Sequence, residues 1–333
     1  MKVVIYHTNC NDGLFAALCA WQKFGMDALY IPVNYKPIQE MEPMDALRFI
    51  FSKETAKSVD AIGNSKYKVQ DVTEENYKDV ELFVLDYSFP VDHFITHCGE
   101  FKSVTVLDHH EKAIKDYCEI FHHIVDNNGW KVLTPFDNCK LIFAEKESGA
   151  KLSWMYFNPG VEVPGYIELV SDRDLWKFKL EYTRSFHAGI KTLNESNFRA
   201  LEQNVKFGIN RILDLGKYSE RMVNDRIKAL KNSNCRFITI HHKGKRYKAG
   251  LVNCYLDIAS DLCAKIIKDE ECKIAIAYNI HRDDIVGCSI RSNNELAMPI
   301  AERFGGGGHL NASGFSITLD QLFNILTTGI LEA

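Results

Sequence analysis

Apolar residues in the first half of the chain come in short runs bounded by polar stretches. Lys2-Val3-Val4-Ile5-Tyr6 is rich in β-branched residues and too short for a helix, so it reads as a buried strand. Leu14, Ala17, Leu18 and Trp21 follow at i, i+3, i+4, i+7 and are closed by Gly25, which predicts a helix directly after that strand. Leu82-Phe83-Val84-Leu85 and Val104-Thr105-Val106-Leu107 repeat the strand pattern. Three near-continuous apolar strands separated by helix-length segments predict a mainly parallel sheet with helices on both faces. A further helix is expected from about Asn138 to Tyr156, ended by Asn158-Pro159-Gly160.

The pattern changes from about Asn197 to Lys231. Leu201, Val205, Ile209, Ile212 and Leu213 keep helical spacing, and Met222, Ile227 and Leu230 resume it after Gly216. Charged residues fill the opposite face, as in a helical connector. Strands are then expected at Arg236–Ile240, Ala249–Val252, Lys273–Tyr278 and Ile285–Ile290, with a helix at Ile258–Lys268 among them. The expected architecture is α/β. A mainly parallel sheet domain spans 1–190, a helical connector 191–233, and a smaller α+β domain 234–333.

Composition narrows the partners. The 333 residues carry 40 basic and 44 acidic side chains, a net charge of −4. No basic excess favours wrapping a long duplex; a short strand or a small phosphorylated substrate met by a local basic site fits better. Ten cysteines without a C-x-x-C pair point to a reducing cytosol. No apolar run approaches ~20 residues, so no membrane span is expected, and the first residues lack the pattern of a secretion signal. The sequence leaves a homodimer open.

The candidate chemistry lies where strands end. The first strand leads into His7, Cys10 and Asp12, the second into Asp86, and the third into Asp108-His109-His110. In an open parallel sheet, ligands bind outside the carboxyl ends of the strands. A single polar residue there is commonly a cap or turn former, but three such ends in register call for another cause. Clustered carboxylates repel unless a cation neutralises them, which points to a divalent metal centre. The mixed oxygen and imidazole donors favour Mn2+ over Mg2+, iron or zinc. Two further segments stand out: Ser171-Asp172-Arg173-Asp174-Leu175-Trp176, and Gly305-Gly306-Gly307-Gly308-His309. The four glycines suggest backbone that approaches something closely, either an anion held by exposed amides or a hairpin turn.

In this order the residues resemble the motifs of the DHH phosphoesterase superfamily. His7-x-x-Cys10-x-Asp12-Gly13-x-x-Ala16-Ala17, Asp86, Asp108-His109-His110 and Asp172-Arg173-Asp174-Leu175-Trp176 match its four catalytic motifs. Gly305 to His309, followed by Ala312-Ser313-Gly314-Phe315 and preceded by Arg291-Ser292, resemble the C-terminal DHH-associated domain. The resemblance implies hydrolysis of short oligonucleotides or small nucleotide phosphodiesters at two divalent ions, preferably Mn2+. His7, Cys10 and Asp86 would hold one ion. Asp12, Asp86, His109 and either Asp172 or Asp174 would hold the other, with Asp172 slightly favoured. His110 would face the scissile phosphate, with Asp108 orienting it. Arg291, His309 and the amides of Gly305, Gly306, Gly307 and Gly308 would grip a terminal phosphate or nucleotide.

Cys10 stands where the superfamily usually has an aspartate. It weakens or softens the first ion site, or is a packing residue; a C-x-D-G first motif also resembles an existing branch of the superfamily. Two rivals to the phosphodiesterase reading follow: a pyrophosphatase or polyphosphatase, and a nucleotide sensor with a decayed first metal site. His93, His97, His122, His123, His241 and His242 read as surface or packing residues. Trp176 reads more readily as core than as a base-stacking ring. Lys243 to Lys248 reads as a solvated basic hairpin.

Overall fold

The computed structural model describes the chain except residues 36, 37, 39, 40, 123, 128, 256, 257, 282 and 283, so His123 lies outside the described residues. Two compact units divide it, Met1–Glu220 and Arg221–Ala333. The division falls inside one helix, Ile209–Asn234.

The first unit is built on strands β1 (Lys2–His7), β2 (Ala28–Val33), β3 (Glu81–Leu85), β4 (Ser103–Asp108), β5 (Ile124–Asn127), β6 (Trp130–Leu133) and β7 (Cys139–Phe143). They form one sheet in the order β2-β1-β3-β4-β7-β6-β5. The β2, β1, β3, β4 and β7 neighbours are parallel, and β6 and β5 add an antiparallel edge. Alternate residues of β1 enter two cores: Val3 and Ile5 join one face, Val4 and Tyr6 the other. This two-sided burial is why the strand reads as a continuous apolar run. The chain steps one way from β1 to β2, then crosses back past β1 to β3 and continues outward to β4. A switch point therefore lies between the carboxyl ends of β1 and β3, where open parallel sheets bind ligands.

Helices α1 (Asn11–Phe24), α2 (Glu111–Ile120), α3 (Gly149–Phe157), α4 (Gly165–Asp174), α5 (Thr183–Leu193), α6 (Phe198–Phe207) and α7 (Ile209–Asn234) follow in the chain. α1 begins directly after β1 and packs along α3.

Two expectations need correction. The segment read as one helix from Asn138 to Tyr156 is β7 followed by α3. Leu141, Ile142 and Phe143 are buried against β4 and β6, and that two-sided burial overrides helical spacing. The sequence pattern does not reveal β2, because Pro32 interrupts an apolar run that pairs along its whole length with β1. The connector pauses at Gly208 and runs unbroken through Gly216.

Gly216 has a different role. A Cβ there would sit 1.7 Å from the Ser185 carbonyl oxygen of α5, and a Cβ on Gly189 would sit 2.0 Å from the Ile212 carbonyl oxygen. The two helices therefore touch backbone to backbone at paired glycines.

The second unit has its own sheet, in the order β12-β13-β11-β10-β9-β8-β14. Its strands are β8 (Arg236–His242), β9 (Lys245–Asn253), β10 (Ile274–Ile280), β11 (Ile285–Ser292), β12 (Gly307–His309), β13 (Ala312–Thr318) and β14 (Ile330–Glu332). Helix α8 (Ala259–Asp269) crosses between the parallel strands β9 and β10. It covers one face with the end of α7, while α9 (Ala297–Glu302) and α10 (Leu319–Thr328) cover the other. Lys243 and Gly244 take left-handed φ values of 48° and 73°, so the basic stretch is a tight two-residue hairpin between β8 and β9.

Alanine in place of glycine normally stabilises an exposed helix by ~1 kcal/mol. At Gly216 the sign reverses, because overpacking costs roughly 1–3 kcal/mol. Thermal denaturation of Gly216→Ala is expected to show a lowered midpoint; a raised midpoint would show that α5 and α7 separate freely.

Candidate metal centre

The ends of β1, β3 and β4 converge on one cluster. His7 closes β1, and Cys10 caps α1 by accepting a hydrogen bond from the Gly13 amide at 3.2 Å. Asp12 follows in the first turn of α1. The turn is tight: a Cβ on Gly13 would lie 2.0 Å from the His7 carbonyl oxygen. Asp86, just past β3, has a left-handed φ of 53°, a conformation that costs a non-glycine residue roughly 1–3 kcal/mol and persists where the surroundings enforce it. Its amide donates to the Leu107 carbonyl at 2.8 Å. Gly149, at the start of α3, packs against its carboxylate; a Cβ there would meet Asp86 Oδ1 at 2.6 Å.

Within the first unit, three sets of donor atoms result among the described residues. His7 Nδ1, Cys10 Sγ and an Asp86 oxygen form one; Asp12, His109 and Asp174 form another; Asp86, Asp108 and His110 form the third. Asp86 Oδ2 lies 3.5 Å from His7 Nδ1 and 3.4 Å from Cys10 Sγ, and its Oδ1 lies 3.2 Å from His109 Nε2. His109 Nε2 is also 3.5 Å from Asp12 Oδ2 and from Asp174 Oδ2. Asp86 thus stands between the His7 side and the His109 side.

Each carboxylate has a different support. The Asp12 oxygens accept the Gly149 and Ala150 amides at the N-terminus of α3, tying α1 to that helix. Asp108, fully buried, accepts from Ser88 Oγ at 2.6 Å, from the His109 amide at 2.7 Å, and pairs with His110 Nδ1 at 2.7 Å. It fixes the His110 ring, as a partner behind a ligand-bearing shell does. Asp86 Oδ1 is buried and forms no hydrogen bond beyond its 3.2 Å ion pair with His109 Nε2.

The electrostatics describe a site short of positive charge. Burial raises Asp12, and Asp174 and Asp86 push it well above the usual carboxylate range. Burial and then Asp86 raise Asp174. Burial raises the Cys10 thiol, and Asp86 and Asp12 add to it. Burial would also raise Asp86, but the His109 and His7 imidazoles outweigh it and hold that carboxyl well below its ordinary value. Burial opposes the charged form of His109, yet Asp86, Asp174 and Asp12 raise it well above its ordinary value. A buried carboxylate oxygen that meets only an imidazole, among further carboxylate, imidazole and thiol donors, fits divalent cations. His7, Cys10, Asp86, Asp12, His109 and Asp174 are the residues that could hold them.

The choice within Asp172-Arg173-Asp174 goes against the slight preference for Asp172. The Asp172 carboxylate accepts from the Lys179 and Leu180 amides at 2.9 and 3.1 Å and from Thr183 Oγ1, so it is the anchor of the 175–183 loop. Asp174, with its side chain 28% exposed, joins the cluster. Trp176 is not core: it is 39% exposed.

In the second unit the glycine segment is mostly accounted for by packing. The Gly305 and Gly306 amides donate to the Glu302 and Ala301 carbonyls at the end of α9, so they are not presented to an anion. Gly307 and Gly308 pair with Gly314 and Ser313 across the β12–β13 hairpin. Cβ atoms on Gly306 and Gly308 would meet the Gly314 and Ala312 carbonyl oxygens at 2.1 and 2.6 Å. His309 ends β12. Arg291 ties β11 to β13 and α8 through Ser289 Oγ, the Ile290 and Ser313 carbonyls and Ser260 Oγ.

Sequence reading missed Tyr35, Ser88 and Gly149. Tyr35 places its hydroxyl 3.4 Å from His110 Nδ1 and its ring edge-on to His7. Ser148-Gly149 does carry a signal, a serine N-cap before a glycine that opens a helix. His93, His97 and His242 are buried packing residues and His122 is exposed.

Asp172→Ala is expected to cost about 2–3 kcal/mol of stability by stranding its donors. Asp174→Ala is expected to leave the metal-free melting temperature near wild type while reducing the rise that Mn2+ produces. Thermal shift with and without Mn2+ checks both; the reverse pattern would put Asp172 in the ligand set.

No known protein-family profile matches the chain. It is 25% identical over 344 aligned positions to an uncharacterized protein of Acanthamoeba polyphaga mimivirus, covering 96% of this chain and 68% of that protein. Among solved structures, a pGpG-specific phosphodiesterase from Vibrio cholerae aligns over 98% of this chain and 96% of its own, at 14% identity and a TM-score of 0.47. An exopolyphosphatase-related protein from Bacteroides fragilis aligns over 98% and 90%, at 13% identity and a TM-score of 0.46. An uncharacterized protein from Helicobacter pylori aligns over 98% and 97%, at 14% identity and a TM-score of 0.40. At these identities and scores the likeness names no activity, and the chemistry rests on the residues of the site.

Proposed function

We propose that this chain is a divalent-metal-dependent phosphoesterase acting on short oligonucleotides or small nucleotide phosphodiesters, with a pair of Mn2+ ions as the preferred cofactor. One observation carries the reading: Asp86, buried and held at a left-handed φ, stands between His7 and Cys10 on one side and His109 on the other. The ordered resemblance to the DHH motifs supports the same reaction class.

His7, Cys10 and Asp86 would hold one ion, and Asp12, Asp86, His109 and Asp174 the other. Ions so held supply charge for the phosphoryl oxygens and lower the pKa of water. The protein's own part is positional. Asp108 accepts from Ser88 and the His109 amide and pairs with His110 Nδ1, which fixes the His110 ring in the orientation from which it would face a phosphoryl oxygen of the substrate. Asp12, bonded to two amides of α3, keeps α1 and α3 in register beneath the site. Cys10 brings a soft donor where a carboxylate would bind Mn2+ more strongly. Aspartate is also a good helix N-cap, so Cys10→Asp is expected to keep α1 intact and tighten Mn2+ binding, whereas Cys10→Ala loses both cap and donor. A Mn2+ titration unmoved by either change would make Cys10 a cap only.

The test is hydrolysis, with Mn2+ and with a chelator, of a panel holding linear and cyclic dinucleotides, phosphoadenosine phosphate, short RNA, long duplex DNA and polyphosphate. Short nucleotide substrates should be cleaved and long duplex hardly at all. Folded Asp86→Asn should lose more than about 100-fold in rate, beyond what outer-shell partners of a metal ligand cost. Turnover that survives chelation, or a fully active Asp86→Asn, would overturn the proposal, and cleavage of polyphosphate alone would move the chain to the polyphosphatase class.

A further inference from the structure

The loop after α4 carries a feature that the ligand cluster does not use. Residues 176–179 alternate aromatic and basic side chains, Trp176-Lys177-Phe178-Lys179. Trp176 and Phe178 both take left-handed φ values, 55° and 48°. For bulky residues these are outliers, and strain of this kind persists only where the surroundings enforce it. Here the enforcement is Asp172: its carbonyl accepts the Lys177 and Phe178 amides, and its carboxylate accepts the Lys179 and Leu180 amides.

The strained loop stacks two aromatic rings with two guanidinium groups. The Trp176 and Phe178 rings lie 5.0 Å apart, edge to face. Arg173 lies 4.2 Å from the centre of Trp176 and 5.2 Å from that of Phe178; Arg184 lies 3.8 Å from Phe178. Burial does not explain the arrangement, since Trp176 is 39% exposed.

Its position is beside the ligand cluster in two independent ways. Trp176 is two residues beyond Asp174, whose carboxylate lies 3.5 Å from His109. On the other side, Arg184 and His187 are one turn apart on the same face of α5. His187 Nδ1 lies 3.1 Å from Asn11 Nδ2, and Asn11 sits between Cys10 and Asp12. About 4.5 Å of helix axis therefore separates the residue bracing Phe178 from the residue touching the first motif.

We propose that Trp176 and Phe178, braced by Arg173 and Arg184, form the platform on which the base next to the scissile phosphate stacks. This rests on the phosphoesterase reading and deepens it: the chain selects base-bearing phosphodiesters over base-free ones. Stacking suits that task because every base has a π-face, so the platform favours nucleotides without choosing among them. Lys177 and Lys179 add positive charge beside the rings, in a chain whose net charge is −4.

Two measurements on the full chain test the proposal. The first compares kcat/KM for a linear dinucleotide with that for its abasic analogue. Stacking is worth about 1–3 kcal/mol per base, so Trp176→Ala should lower the ratio of the two by roughly 5–150-fold, and Trp176→Phe should restore most of it. An equal loss on both substrates, or no loss, would overturn the platform. The second measurement needs no turnover. Adenosine monophosphate should quench tryptophan emission more than ribose 5-phosphate does, and Trp176→Phe should abolish that difference; equal quenching by the two ligands, or a difference that survives Trp176→Phe, would overturn it. If the wild-type chain hydrolyses neither substrate while the quenching behaves as expected, the phosphoesterase reading fails and the nucleotide platform stands.

Discussion

Negative charge packed into a small buried volume is the constraint on which the first unit depends. Asp12, Asp86 and Asp108 are all but inaccessible to solvent, and Asp174 leans over the same imidazole as two of them. Two unit charges 4 Å apart interact by about 4 kcal/mol even at an effective dielectric of 20, so such a group persists only if the surroundings supply positive charge or protons. Against these carboxylates the chain sets the imidazoles of His7, His109 and His110 and the amides at the start of α3. Burial and their neighbours' charge both push the Asp12 and Asp174 carboxyls above their ordinary range. Divalent cations held by these side chains would resolve the same deficit.

Local geometry follows from that requirement. Asp86 can stand between two sets of donors because its backbone turns into the left-handed region at the end of β3, and because Gly149 leaves space against its carboxylate. Cys10 and Asp12 reach the cluster because Gly13 lets the chain turn within van der Waals distance of His7. The same side chains bind the helices: Cys10 caps α1, and Asp12 joins α1 to α3. Site and scaffold are thus one set of hydrogen bonds, and loosening either disturbs the other. Asp172 plays the matching part at the end of α4, where three donors fix the loop that carries Trp176 and Phe178.

Much of this was legible along the chain because it is local. β1, β3 and β4 are buried on both faces and announce themselves as unbroken apolar runs, and the polar residues that close them lie at the carboxyl ends of parallel strands. What was not legible depends on partners distant in sequence. β7 reads as helix along the chain because its burial against β4 and β6 is a tertiary fact. Asp172 and Asp174 differ only in what the chain brings to them, a loop in one case and His109 in the other. Gly305, Gly306 and Gly308 invited an anion, yet the first two amides are taken by α9, and Gly306 and Gly308 make room for β13. Ser88 and Tyr35 carry no motif at all; only the fold sets them against Asp108 and His110.

The central claim is that Asp86 is shared between two cation sites, and electron paramagnetic resonance of the Mn2+-loaded chain tests it most directly. Ions bridged by one carboxylate sit about 3.5–4 Å apart, close enough for their spins to couple. The account predicts two Mn2+ per chain and the spectrum of an exchange-coupled pair. A single equivalent of bound Mn2+, or two ions that give only the six-line signal of isolated Mn2+, would contradict it.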